Sequence, residues 1–439
     1  MKTRDGEWIA VPMIEEPAEL SDALRESREY TLATYGHLEP RQREVPLLDI
    51  VNPPIWELAH IGFFQEFFCR RWRPDDPAGA RTPSRLPGAD ALFDSRVVPH
   101  DDRWRLAYPS WDEVRGYLDA TLEDTLDLLA RSRPGERFAF RLALFHEDMH
   151  GEALLMTLQT LALPAPPRTH RSRELPPAPL VDVGFEGGVF RQGATPGDGE
   201  HAFDNEKWGH DVRVAPFEIA SRPVTNGEFL AFVEEGGYER PQWWTPQGWA
   251  WRSAADAAAP RQWRRDGAGW VERWFDGERP LAGDHTLVHV NRHEAEAWCR
   301  WAGRRLPTES EWEFAATNGG ADRLPWGPGS PAVSPCLDHL DASPGPAFAD
   351  GSRSGLAQLI GGVWEWTSSA FGPYPGFEKD AYAEYSEPWF GDHAVLRGGS
   401  FATSSRLVHG RWRNFYRPER RDVFAGFRTC ALGGGKAVR

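Results

Sequence analysis

The sequence predicts two domains of different class, an all-helical one followed by an α+β one, and three observations carry that prediction. A chain of 439 residues exceeds what a single hydrophobic core usually organises. Apolar residues recur at three- and four-residue spacing over residues 20–163, whereas beyond residue 181 short apolar or aromatic runs alternate with glycine. Between them lies LPAPPRTHRSRELPPAPL, residues 163–180, whose proline density and missing apolar period indicate an extended linker. The expected division is 1–163, a linker at 164–180, and 181–439.

In the first domain, WDEVRGYLDATLEDTLDLLARS and FRLALFHEDMHGEALLMTLQTLAL each line one face with apolar side chains. Ser110 stands just before the former and Glu113 three residues on, a capping box, and Arg133-Pro134-Gly135 ends it. A helix bundle is the simplest way to bury such faces. In the second domain, VDVGFEGGVFRQG, VRVAPFEIASRPV, GGVWEWTSS, AVLRGGSFA and FAGFRTC read as short strands and turns. NGEFLAFVEEGG and NRHEAEAWCRWAG read as two amphipathic helices.

Composition narrows the function. A net charge of -15 offers no cationic field for a phosphate backbone, which excludes a typical nucleic-acid partner. The cysteines (Cys69, Cys299, Cys336, Cys430) form no CxxC, which argues against a disulfide scaffold and a thiolate zinc knuckle and fits a reducing compartment. The first twenty residues lack the apolar core of a signal peptide, and no run of 18 apolar residues occurs, so a soluble cytoplasmic protein without a membrane partner is expected. Oligomeric state is left open. The 21 tryptophans indicate either aromatic structural pegs or a site lined with rings.

His146 and His150 are four apart in FHEDMHGEA, inside a helical segment, so their imidazoles share one face about a turn apart. That spacing suits two ligands on one metal, and also an ordinary surface or capping pair. His60, among the apolar residues of IWELAHIGFFQEFF, is the candidate third ligand, with a satisfied core histidine as the alternative. Three neutral imidazoles leave half an octahedron open, which suits iron(II) and oxygen, whereas a tetrahedral three-histidine site with one water suits zinc. Glu152 lies on an adjoining face, where a carboxylate can orient a ligand histidine.

WELAHIGFFQEFF followed by HEDMHGE resembles the DinB-type bundle of the ergothioneine-pathway sulfoxide synthases. The stretches SRPVTNGEFLAFV, HVNRHEAEAWCRWAGRRLPTESEWEFAA, GGVWEWTSS, VLRGGSFAT and FAGFR resemble the formylglycine-generating-enzyme fold, a C-type-lectin-like α+β domain. Together, in this order, they cover nearly the whole chain and resemble the iron-dependent C–S bond-forming enzymes and the related selenoneine synthases. The resemblance implies that His60, His146 and His150 hold Fe(2+), with Nα-trimethylhistidine (hercynine), a chalcogen nucleophile and O2 as substrates. It implies a proton-donating role for Tyr382 in DAYAEYSEPWF with Tyr385 as a substrate-positioning residue or the alternative donor, contacts to trimethylhistidine from Asn414 and Phe415 with Trp412 nearby, and recognition of the acceptor's carboxylates by Arg96 and Arg420.

Two positions depart from that pattern. Tyr416 stands where an acidic residue binds the amino group of γ-glutamylcysteine, and Met149 stands where a glutamine is expected. VNPPIWELAHIGFFQEFFCRRWRP, LPGADALFDS and HEDMHGEALLMTLQTL resemble most the selenoneine synthase branch, whose acceptor is a selenosugar. A neutral sugar has no need of the missing carboxylate; the retention of Arg96 and Arg420 fits it less well. Ergothioneine-type oxidation of cysteine or γ-glutamylcysteine is the alternative, a metal-dependent thiol transferase a further one, and a binding module with structural histidines a non-catalytic one. Formylglycine generation, which uses a close cysteine pair, does not fit the isolated Cys430.

Overall fold

The computed structural model describes residues 16–166, 177–195, 201–327, 336–338 and 344–433. Most of the linker expected at 164–180 lies outside the described residues. The chain forms two compact units, one built from the N-terminal helices with Phe275–Gly277, the other from the C-terminal part.

The helical unit contains α1 (Pro17–Gly36), α2 (Pro54–Glu66), the short α3 (Ala89–Leu92), α4 (Trp111–Ala130) and α5 (Phe138–Thr160). The capping box of α4 forms as the sequence predicts: Ser110 N donates to Glu113 Oε2 at 2.8 Å and Glu113 N to Ser110 Oγ at 3.3 Å, which satisfies end groups a helix cannot pair itself. Both α1 and α2 pack on α4 and α5. Leu24, Leu118, Leu129, Leu144 and Leu158 are fully buried in that core. Almost every side of α2 is buried, so it carries little apolar periodicity, and it runs on into a π turn at Phe67–Arg71.

A buried arginine fixes the rotation of α5 about its axis. Arg28 of α1 donates from Nε and Nη2 to the Glu147 carboxylate at 2.8 and 3.0 Å, and from Nη2 to Gln65 Oε1 of α2 at 2.7 Å. Ser27 Oγ donates to Asp148 Oδ1 at 2.9 Å. With Glu147 and Asp148 held toward α1, His146 and His150 are presented on another face of the same turns.

The C-terminal unit is α+β. Its strands are β1 (Asp182–Phe185), β2 (Gly188–Gln192), β3 (His210–Val214), β4 (Phe217–Ala220), β5 (Trp263–Asp266), β6 (Gly269–Trp274), β7 (Gly277–Pro280), β8 (Arg304–Arg305), β9 (Trp364–Ala370), β10 (Ala394–Arg397), β11 (Asn414–Tyr416), β12 (Ala425–Gly426) and β13 (Cys430–Ala431). Two four-stranded sheets run β1-β4-β13-β8 and β11-β10-β9-β12; β2-β3 and β5-β6-β7 form smaller ones. The two predicted helices are α6 (Asn226–Glu234) and α8 (Arg292–Trp301), each opened by a capping box, at Thr225/Glu228 and Asn291/Glu294. The sequence reading missed α7 (Pro246–Ala254), α9 (Glu309–Ala316) and the β5-β6-β7 meander, because these segments are short and interleave charge with tryptophan.

Two glycines are required by close approach. A Cβ at Gly187, whose φ is +68°, lies 2.3 Å from Val214 O, and one at Gly426 lies 2.2 Å from Leu287 O. Tryptophans act as pegs between layers: Trp312 Nε1 donates to Glu365 Oε2 at 2.7 Å, Trp366 Nε1 to Val290 O at 2.9 Å, and Trp364 packs on Trp412 with ring centroids 5.0 Å apart.

Candidate metal centre and substrate residues

His60 on α2 and His146 and His150 on α5 come together. One ring nitrogen from each lies within 4.8 Å of the other two, a spacing that a single ion can bridge. His60 and His146 are 5% and 2% exposed. Burial, then the neighbouring His150, lowers the pKa of His60 to about 3; burial, then His150 and His60, holds His146 well below its ordinary value. Both are therefore neutral imidazoles, the form that binds a metal.

The tautomers are set from outside the cluster. His60 Nδ1 lies 2.8 Å from Phe93 O and His150 Nδ1 lies 2.9 Å from Glu57 Oε1, so each Nδ1–H donates and each Nε2 is the nitrogen left for a metal. Trp56 stacks on His60 at 4.8 Å between centroids and Phe64 on His146 at 3.5 Å, which limits ring rotation. This donor set fits a first-row transition ion that accepts nitrogen ligands. The sequence reading missed Glu57, although it stands three residues before His60 on the same helix; Glu152, the carboxylate expected for the orienting role, is buried on α5.

In the C-terminal unit, Asn414, Phe415 and Tyr416 form β11, an edge strand paired to β10. Phe415 stacks on Phe371 at 4.0 Å and meets Tyr385 edge-on at 5.7 Å; Tyr385 lies 5.4 Å from Tyr382, ring to ring, and stacks on Phe203 at 4.3 Å. Enclosure of the Tyr385 hydroxyl, then the Glu206 carboxyl, raises its pKa well above the ordinary phenol value, which keeps it protonated. The segment 204–207 clamps the tyrosine loop at both ends. Lys207 Nζ pairs with Asp380 Oδ2 at 2.5 Å, Asn205 Nδ2 donates to Ser386 Oγ at 3.0 Å, and Ser386 Oγ donates to Asp204 Oδ1.

Beneath the clamp lies a buried ionic network that periodicity does not reveal. Arg413 donates to Glu309 at 2.6 Å and to Asn205 O at 2.6 Å, while Arg397 donates to Glu309 at 2.9 Å and Glu313 at 2.6 Å. The predicted acceptor arginines are both engaged by aspartates. Arg96 donates to Asp94 Oδ1 at 2.9 Å and Oδ2 at 2.7 Å, and Arg420 to Asp422 Oδ1 at 2.7 Å and Oδ2 at 2.6 Å.

Residues 23–154 match the family model of the DinB superfamily, and residues 173–431 that of the sulfatase-modifying factor enzyme 1-like domain. The chain is 36% identical to a hercynine oxygenase of Mycolicibacterium smegmatis over 434 residues, 94% of this chain and 98% of the relative. The chain belongs to the hercynine oxygenase family. A second hercynine oxygenase, from Mycolicibacterium thermoresistibile, is 37% identical over 96% of each chain. A formylglycine-generating enzyme of Streptomyces coelicolor is 35% identical over 54% of this chain and 81% of its own length. The hercynine oxygenase family thus explains both halves in their order, the DinB half carrying the histidines. Burial raises the Cys430 thiol to about 12, an inert value, and the cysteines are all free and buried. Among the described residues, no helix is long and apolar enough to cross a membrane.

Proposed function

We propose that this chain is a cytoplasmic nonheme iron(II), O2-dependent enzyme that joins the selenium of a selenosugar to C2 of the imidazole of Nα-trimethylhistidine. Ergothioneine-type coupling to cysteine or γ-glutamylcysteine is the alternative acceptor chemistry. The observation that carries the reading is the gathering of three imidazoles within 4.8 Å, in a chain aligned with a hercynine oxygenase along nearly its full length. In the overall balance the acceptor's Se–H or S–H, the imidazole C2–H and O2 give the C2 selenoxide or sulfoxide and water. The stretch 164–180 serves as the linker between the two catalytic halves.

His60, His146 and His150 would hold iron(II), which would supply redox chemistry toward O2. The chain's own residues do the remaining work. Glu57 and Phe93 O hold His150 and His60 in the binding tautomer, and Glu152, on an adjoining face of α5, is the further carboxylate assigned to orienting a ligand histidine. Phe415 offers a ring face to the trimethylammonium group and Asn414 an amide to trimethylhistidine. Tyr385, protonated at neutral pH, and Tyr382 beside it supply a proton to developing anionic charge. Tyr416, carrying no charge, leaves an acceptor ammonium without a partner, which supports a neutral acceptor.

An anaerobically iron-loaded assay offering trimethylhistidine with cysteine, γ-glutamylcysteine and a selenosugar in competition, read by product mass after O2 is admitted, tests this. The selenosugar adduct is expected to dominate. Adduct formation without O2 would favour a metal-dependent transferase instead.

A further inference from the structure

Three unfavourable features meet in the C-terminal unit at a place the proposed chemistry does not use. The first is His289, 1% exposed, whose backbone is left-handed with φ +63°, a conformation that disfavours residues bearing a Cβ. Its Nδ1 lies 3.2 Å from Arg421 O, so Nδ1–H donates there and Nε2 is left as an acceptor. That nitrogen is buried and meets no hydrogen-bond partner among the described residues. Trp274 and Phe424 pack against the ring, with centroids 5.8 and 5.4 Å away, and limit its rotation. The second is Arg261, two residues before β5, which is half-buried and forms neither an ion pair nor a hydrogen bond among the described residues. Asp422 lies near enough to act on its charge, but Arg420 already holds that carboxylate at two points, 2.7 and 2.6 Å. The third is the crowding of like charge: burial, then Arg261, lowers the pKa of Arg273 on β6. Arg273 Nη2 donates to Gln262 Oε1 at 2.6 Å, and Gln262 Nε2, on a residue 6% exposed, again meets no partner among the described residues. Burial, then the Arg261 charge, lowers the pKa of His289 to about 3, so its ring is neutral and brings no proton to Nε2.

We propose that Arg261, Gln262 and His289 form a binding site for an oxyanion that carries a hydroxyl, of the hydrogen phosphate class. The anion balances the crowded guanidinium charge and takes the free fork of Arg261. One of its oxygens accepts from Gln262 Nε2, and its hydroxyl donates to His289 Nε2. A water satisfies Nε2 but leaves the arginine charge unbalanced. Sulfate or a carboxylate balances that charge but turns a lone pair against the lone pair of Nε2, which is a device for rejection as well as recognition. The left-handed backbone at His289 then has a use, because it holds an acceptor nitrogen where an anion would otherwise meet only donors.

Thermal melts of the protein in inorganic phosphate and in sulfate, at pH 7 and matched ionic strength, read the site. Phosphate is expected to raise Tm saturably, with an affinity at least about tenfold above that of sulfate, the equivalent of one hydrogen bond gained. Equal shifts from the two anions, or none from phosphate, overturn the site. Calorimetric titration of the wild type with each anion gives the same ratio without unfolding the protein, and a ratio near one overturns it again. Arg261→Gln is expected to lose at least about tenfold in phosphate affinity while keeping or raising Tm in the absence of phosphate, since it removes a cation that no carboxylate grips. An unchanged phosphate response in Arg261→Gln overturns the proposal. His289→Asn accommodates the left-handed backbone and can turn an amide N–H to the anion, so it is expected to bring phosphate and sulfate within about threefold of each other. Retention of the wild-type preference in that variant overturns the part given to His289.

Discussion

Glu57 determines which nitrogen of His150 faces the cluster, and it does so through one 2.9 Å contact from a residue that is 2% exposed. Glu57→Gln keeps an acceptor there but removes the charge, and is expected to weaken iron binding about tenfold to a hundredfold without abolishing it, as measured by competition with a chelator. Glu206 gives a pH-dependent prediction. Burial raises its carboxyl pKa from 4.5 to about 8. The folded state therefore binds a proton that the unfolded state releases, so the Glu206 contribution to stability is complete below pH 4.5 and is lost as pH rises toward 8. Glu206→Gln is expected to be more stable than wild type at neutral pH by up to roughly 3 kcal/mol. Thermal melts across pH check the sign: the advantage must shrink below pH 5.

At the scale of elements, the spacing of His146 and His150 and the apolar setting of His60 were legible, because a helix converts spacing into a shared face. Their partners were not. Glu57 meets His150 across 93 positions of sequence and Arg28 meets Glu147 across 119, and no local period reports such contacts. The capping box of α4 could be read because both partners lie within one turn, and those of α6 and α8 emerge from the structure. The clamp of segment 204–207 on the tyrosine loop belongs to the unread part, since Lys207 and Asp380 are 173 positions apart. If the clamp positions Tyr382 and Tyr385, Lys207→Ala lowers kcat more than it raises KM, and Lys207→Arg restores part of the loss; parallel losses in a well-folded Lys207→Arg variant would contradict that role. Arg413→Met leaves Glu309 with only part of its compensation in the interior and is expected to cost about 3–5 kcal/mol of stability, readable as a lowered Tm.

For the whole molecule, the candidate site residues are divided between the two units. The helical unit gathers the imidazoles, and the C-terminal unit carries the tyrosines and β11 on a framework that matches the sulfatase-modifying factor enzyme 1-like domain. The overall class was legible because periodicity changes sharply on either side of the proline-rich stretch. The tryptophan excess resolves mainly into architecture: Trp312, Trp364 and Trp366 are fully buried, whereas the rings grouped around β11 are tyrosines and phenylalanines. The central claim is that His60, His146 and His150 form one iron site on which oxygen use depends. Oxygen uptake by iron-loaded protein supplied with trimethylhistidine and a selenosugar or thiol, compared between wild type and a folded His146→Ala variant, tests it most directly. The account predicts uptake coupled to adduct formation in the wild type and none in the variant; equal uptake in both, or none in the wild type with any acceptor, would contradict it.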